Sequence, residues 1–136
     1  MSQTTNLRPR RGATLVETAL GLLLFLMLLV GLIELGRGVW TYTTLAHATR
    51  QGARFAMARG TLNPATADQV REAVRTSAVG LDRTLLTVTT TWESGLTRGG
   101  FVRVQVRYPF ALVSGGLILS QSRLTLGASS RVVVAN

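Results

Sequence analysis

Cysteine is absent from all 136 residues, so neither a disulfide framework nor a thiolate metal site can hold the fold. Packing alone must do so. Lysine is missing too. All 15 basic residues are arginine, which in a single sequence reads as genome composition before it reads as chemistry. Acids are scarce, with 6 Asp and Glu against those 15 cations, and there is 1 histidine. That leaves little from which to build a general acid–base pair. His47 has no second His or Cys nearby to share a metal. Asp68 and Glu72 stand beside Arg71 and Arg75 in a helical pattern and read as surface salt pairs. No phosphate loop or dinucleotide glycine fingerprint occurs. The sequence predicts no enzyme, no metal site and no cofactor.

The net charge of +9 raises nucleic acid as a partner, but Arg8, Arg10 and Arg11 supply a third of it, and removal of residues 1–12 would leave +6. The other arginines are scattered, and the aromatic–basic interleaving of a nucleic-acid surface is lacking. No nucleic acid is expected. A chain of this length accommodates one modest domain and one membrane helix.

What is present is a long apolar run. From Thr18 to Ile33 no charge interrupts Leu, Val, Gly, Phe and Met. Counted from Ala13, a helix to Ile33 measures about 31 Å, enough for the hydrocarbon core of a bilayer. Trp40 and Tyr42 fall where an interfacial aromatic belt belongs. Arginines flank the run on both sides, so charge bias does not set orientation. A short N-terminal tail and a long C-terminal part favour a cytoplasmic N-terminus and an extracytoplasmic C-terminal domain in a bacterial inner membrane.

Three processing routes compete. A secretory signal needs small residues after the apolar core, and "VGLIELGRG" offers Glu34 and Arg37 instead. Arg10-Arg11 alone is weak support for twin-arginine export. The third route cuts before the run: in "RPRRGATLVE" a basic tail ends at Gly12, small and apolar residues follow, and Glu17 is fifth after that glycine. This arrangement resembles the cleavage site of type IV prepilins and pseudopilins. The resemblance implies cutting by a membrane prepilin peptidase between Gly12 and Ala13, and pairing of Glu17 with the freed α-amino group of a neighbouring subunit. Physically, a carboxylate near a helix N-terminus is favoured by the dipole, whereas at mid-membrane a charge costs about 2.5–3.5 kcal/mol unless it finds a cation. Without the joint pattern, Glu17 would simply mark the membrane boundary.

Further along, Gly31, Glu34, Gly36 and Arg37 form G-x-x-E-x-G-R, and Ala48, Arg50, Gly52, Ala53, Arg54 and Ala56 form A-x-R-x-G-A-R-x-A. With Arg11-Gly12-Ala13, Val16, Glu17 and Ala19 before them, these resemble the N-terminal half of TadE-like proteins; "VRVQVRYPF" and "LGASSRV" are similar to the C-terminal half. The resemblance implies a minor pilin or pseudopilin acting in assembly of a Tad (type IVc-like) pilus for adhesion. Its partners would be the prepilin peptidase, other pilin subunits, the Tad inner-membrane machinery and the lipid bilayer. Glu34 and Arg37, three apart on one helix face, are a candidate membrane-exit pair.

The expected architecture is α+β and pilin-like, with a long N-terminal hydrophobic helix and a short helix packed on a small antiparallel sheet. The chain divides as a cytoplasmic leader (1–12, removed), a transmembrane part (13–36) and an extracytoplasmic domain (37–136). If residues 13–59 are one helix, it measures about 70 Å. Ala48, Gly52, Ala56 and Gly60 make a small-residue stripe, read as close packing on the chain's own sheet rather than as a subunit contact. His47, Arg50 and Arg54 form a solvated face. Asn63 is the expected N-cap of the second helix, Pro64 its first residue, Gly80 its stop. Leu86, Val88, Thr90 and Trp92 share a strand face, as do Val102, Val104, Val106 and Tyr108. "SGLTRGG" reads as a hairpin, Pro109 as the end of the second strand, "LVSGGLILSQS" (112–122) as loop with at most a short strand, and 123–134 as the last strand. Two other readings remain: an uncleaved single-pass protein with a periplasmic binding module, and a secreted domain beginning near residue 38.

Overall fold

The computed structural model describes residues 11–59, 65–93, 100–112 and 123–133. Helix α1 spans Arg11–Arg59, α2 spans Ala67–Ser77, and strands β1 (Thr87–Glu93), β2 (Phe101–Ala111) and β3 (Arg123–Val133) follow. The fold class is α+β with a long apolar N-terminal helix. The chain forms two compact units, Met1–Ile33 and Glu34–Asn136. In the first unit the described residues are helical, and every side chain from Gly12 to Ile33 is exposed. No proline falls within α1, and its Leu, Ala and Met are good helix formers. The helix is long and apolar enough to cross a membrane.

The second unit has a core. α1 contributes Leu45, Ala48, Ala53 and Ala56, and α2 contributes Val70 and Val74. The sheet contributes Val88, Val102, Val104 and Val106, all buried. Alternation in β2 places its even residues inward and Arg103, Gln105 and Arg107 outward. The sheet is an antiparallel β1-β2-β3 meander. Its register pairs Val88 with Val106 and Trp92 with Val102, then Val104 with Ser130 and Val106 with Ala128.

Four expectations are corrected. At Gly52 the small-residue stripe meets α2 rather than the sheet: a Cβ built there would collide with Cγ2 of Val74 and lie 3.7 Å from Cγ1 of Val70. The N-cap of α2 is Thr66, not Asn63. Its hydroxyl accepts from the Gln69 amide while the Gln69 side chain accepts from the Thr66 amide, a reciprocal capping box that "TADQ" encodes. The helix ends at Ser77 with Ala78 as C-cap, two residues before Gly80. Gly80 instead makes the turn into β1 with φ +78. Pro109 does not end β2, which runs on to Ala111 paired with β3. The β1 register stops at Arg107, so Pro109 sits where β2 is paired on one side only, a place that tolerates a residue without an N–H. Gly60, Asn63, Pro64, most of "SGLTRGG" and the 113–122 connection lie outside the described residues.

Candidate assembly and membrane-anchoring site

The sequence-derived residues lie in two groups along α1. Gly12 and Ala13 fall in its first turn, exposed, and a Cβ on Gly12 would meet nothing within 4 Å. The first amides of a helix have no intrahelical acceptor, so opening this turn sacrifices few hydrogen bonds. Glu17 follows one turn later and is exposed. Next to it the Thr18 hydroxyl donates to the Thr14 carbonyl at 2.8 Å, which satisfies that hydroxyl inside its own helix.

Glu34 opens the second unit and is 8% exposed. The Arg37 guanidinium approaches its Oε1 at 3.4 Å across one turn, longer than the ~2.7–2.9 Å of a strong charge-assisted bond. Arg37 also lies over the Phe110 ring, 5.3 Å from its centroid, within cation–π range. Thr41 donates to the Arg37 carbonyl at 2.9 Å. Arg37 is therefore held by an acid on its own helix and by an aromatic ring from the sheet. Phe110 carried no local signal for this role, because only the tertiary fold delivers it.

A second cluster escaped the sequence reading. On the outer sheet face Arg103 of β2 and Arg131 of β3 are directly opposite, and Glu93 of β1 takes both, at 2.8 and 2.9 Å. Arg131 also stacks over Phe101 at 4.0 Å. The cluster ties all three strands together. In the turn after α2 the backbone N–H and hydroxyl of Thr84 donate to Asp82 at 2.9 and 2.6 Å, and these bonds hold the carboxyl below its ordinary pKa. Among the described residues no group of three His, Asp or Glu could hold a metal ion.

A protein-family model described as TadE-like protein matches residues 12–54. Over that segment, about a third of its length, the chain is similar to TadE-like proteins. The segment begins at Gly12 and includes Glu17, Glu34, Arg37 and Gly52. The matched stretch therefore carries both the exposed apolar helix and Gly52, the point at which α1 meets α2. The family is a structural, pilin-related one rather than an enzymatic one. No curated protein and no solved structure matches the chain.

Proposed function

We propose that this chain is a minor pilin or pseudopilin acting in the assembly of a Tad pilus. The observation that carries the reading is the TadE-like match over residues 12–54 on a helix whose apolar side chains are all exposed as far as Ile33. An apolar helix of this length without a core of its own requires lipid or neighbouring apolar helices. The precursor lies across the inner membrane with its N-terminus cytoplasmic and residues 37–136 extracytoplasmic. Prepilin peptidase cuts between Gly12 and Ala13, and the released helix packs among other pilin subunits. Glu17 then pairs with a neighbouring subunit's α-amino group, which sets the axial register of assembly. Nothing in this role requires bond-making by the subunit itself.

The test is the intact mass of the membrane-extracted protein from cells with and without the peptidase. A chain beginning at Ala13 only where the peptidase is present is the expected result. Full-length protein in both strains would refute processing and favour the uncleaved anchored module. Replacement of Gly12 by a bulky residue should leave the precursor mass unchanged. Glu17→Ala should be cut normally yet fail to enter pili.

A further inference from the structure

The outer face of the sheet is dominated by one sign of charge. Along β2 it presents Arg103, Gln105 and Arg107. On β3, Arg131, Ser129 and Gly127 stand opposite them, and β1 adds an exposed row of Thr87, Thr89 and Thr91. A solvated surface normally mixes charges of both signs. Here Glu93 is the one acid in the three strands, and Arg103 and Arg131 already share it. Arg107 is exposed and takes part in none of the ion pairs of the described residues. Its stem runs beside the bare backbone of Gly127, where a Cβ would lie 4.0 Å from Cγ of Arg107 and 3.7 Å from the Val106 carbonyl oxygen. A shallow groove of about 220 Å³ lies over that glycine, and Gln105, Arg107 and Ser129 line it with an amide, a guanidinium and a hydroxyl.

Charge and hydrogen-bonding groups together narrow what this face takes. A planar guanidinium binds a carboxylate through two parallel hydrogen bonds. Around Arg107 neutral hydroxyls and an amide outnumber cations. Arg103 lies four residues back along β2, about 14 Å in extended chain, and it shares one acid with Arg131. That density of positive charge is too low for a nucleic acid, whose strands carry a phosphate about every 3.4 Å. Nor does the face offer a free ring to a base, because Arg131 stacks over Phe101. An acidic peptide brings few hydroxyls, and its backbone seeks a sheet edge rather than a face. A polymer with sparse carboxylates among many hydroxyls matches both the charge and the threonine row.

We infer that the outer sheet face binds an acidic polysaccharide: Arg107 takes a uronate carboxylate in the groove over Gly127, while Gln105, Ser129 and the threonines of β1 hydrogen-bond sugar hydroxyls. The site uses none of the residues assigned to assembly. It stands whether or not the chain is trimmed after Gly12.

The test is isothermal titration of the full chain in detergent micelles with a hyaluronan octasaccharide, in which glucuronate alternates with a neutral sugar. The same octasaccharide with its carboxyls reduced to alcohols is the uncharged comparison, and a single-stranded DNA of equal length is the densely charged one. The acidic sugar should bind in preference to both. Arg107→Gln should weaken it roughly tenfold, the loss of one charge-assisted contact. Gly127→Val keeps every charge and suits a strand, yet fills the groove, and should weaken binding by a similar factor. Arg50→Gln removes an equal charge from an exposed position of α1 and should change nothing. Arg107 is exposed and a Cβ on Gly127 meets only ordinary contacts, so both sheet variants should melt with the parent. Equal binding of the reduced sugar, or no binding of any probe, overturns the proposal. So does parent-like binding by Arg107→Gln or Gly127→Val. Tighter binding of the DNA, or equal losses from Arg50→Gln and Arg107→Gln, would reduce the face to diffuse positive charge and overturn it as well.

Discussion

Replacing Gly52 by alanine tests how closely α1 approaches α2. In an open helix the change gains about 1 kcal/mol of helix propensity. Here the new methyl would land on Cγ2 of Val74, well inside the ~3.5–4.0 Å at which carbon atoms attract. Val74 and Val70 are both fully buried. A β-branched side chain in a helix has one strongly preferred χ1, so Val74 cannot swing aside and the helices must separate. Overpacking of this kind costs about 1–3 kcal/mol. Set against the propensity gain, the expected net loss is roughly 1 kcal/mol. Chemical unfolding of the full chain in detergent micelles, followed by tryptophan emission, reads it. Gly36→Ala is the control, because a Cβ there meets nothing within 4 Å, and it should be neutral or stabilising. Val74→Ala alone should cost about 2 kcal/mol. Combined with Gly52→Ala, it should cost less than the sum, by at least ~0.5 kcal/mol, because one change makes room for the other. Additive effects, or a Gly52→Ala protein more stable than the parent, would refute the close approach of α1 to α2 at Gly52.

Other outcomes follow from single contacts. Glu93→Ala should lower stability by about 1 kcal/mol, because Arg103 and Arg131 are left opposite each other with no shared acid, and raised salt should narrow the gap in melting temperature. Thr66→Ala should cost about 1 kcal/mol through loss of the capping box, and Thr66→Ser should restore most of it. Asp82 should titrate below its ordinary value in an NMR carboxyl titration. Because folding favours its charged form, its contribution is complete above the unfolded pKa and fades as pH falls through the lower folded one. Thr84→Ala should move the midpoint back up.

The parts of the fold visible in sequence were those governed by one period or one composition. The uncharged run and the proline-free stretch to Arg59 announced α1, and the Val102, Val104, Val106 alternation announced the inner face of β2. Where two local signals competed, reading them in isolation misled. Asn63-Pro64 is an acceptable helix start, but Thr66 with Gln69 satisfies two amides reciprocally where Asn63 would satisfy one. Pro109 looks like a strand terminator because its missing N–H matters in a paired ladder, and only the register shows that β1 has already ended opposite Arg107. Contacts that need register or tertiary placement left no trace: Glu93 lies ten residues from Arg103 and thirty-eight from Arg131, and Phe110 reaches Arg37 only through the sheet. The helix facing Gly52 was equally hidden, since a small-residue stripe specifies a close approach and not the element that makes it.

The two acids of the segment that matches the TadE-like model stand in different surroundings, Glu17 exposed and Glu34 buried, and this makes them separable by experiment. Glu34 is buried within the globular unit and answered by Arg37 on its own helix. Arg37 is half exposed and the contact is 3.4 Å, so the several kcal/mol of a fully buried broken pair must be discounted to about 1 kcal/mol for Glu34→Gln. That loss should appear as a lower unfolding midpoint in micelles, with or without other pilus components. Glu17 is exposed on a stretch of helix whose neighbours are all exposed, so its substitution removes no packing from the folded chain. Glu17→Gln should leave the unfolding midpoint unchanged and lower the amount of subunit recovered in sheared pili, because in the proposed role its cation comes from another molecule. A Glu17→Gln protein that unfolds early but assembles normally would invert the assignment, and the carboxylate at residue 17 would then be a folding determinant of the helix start rather than an assembly contact.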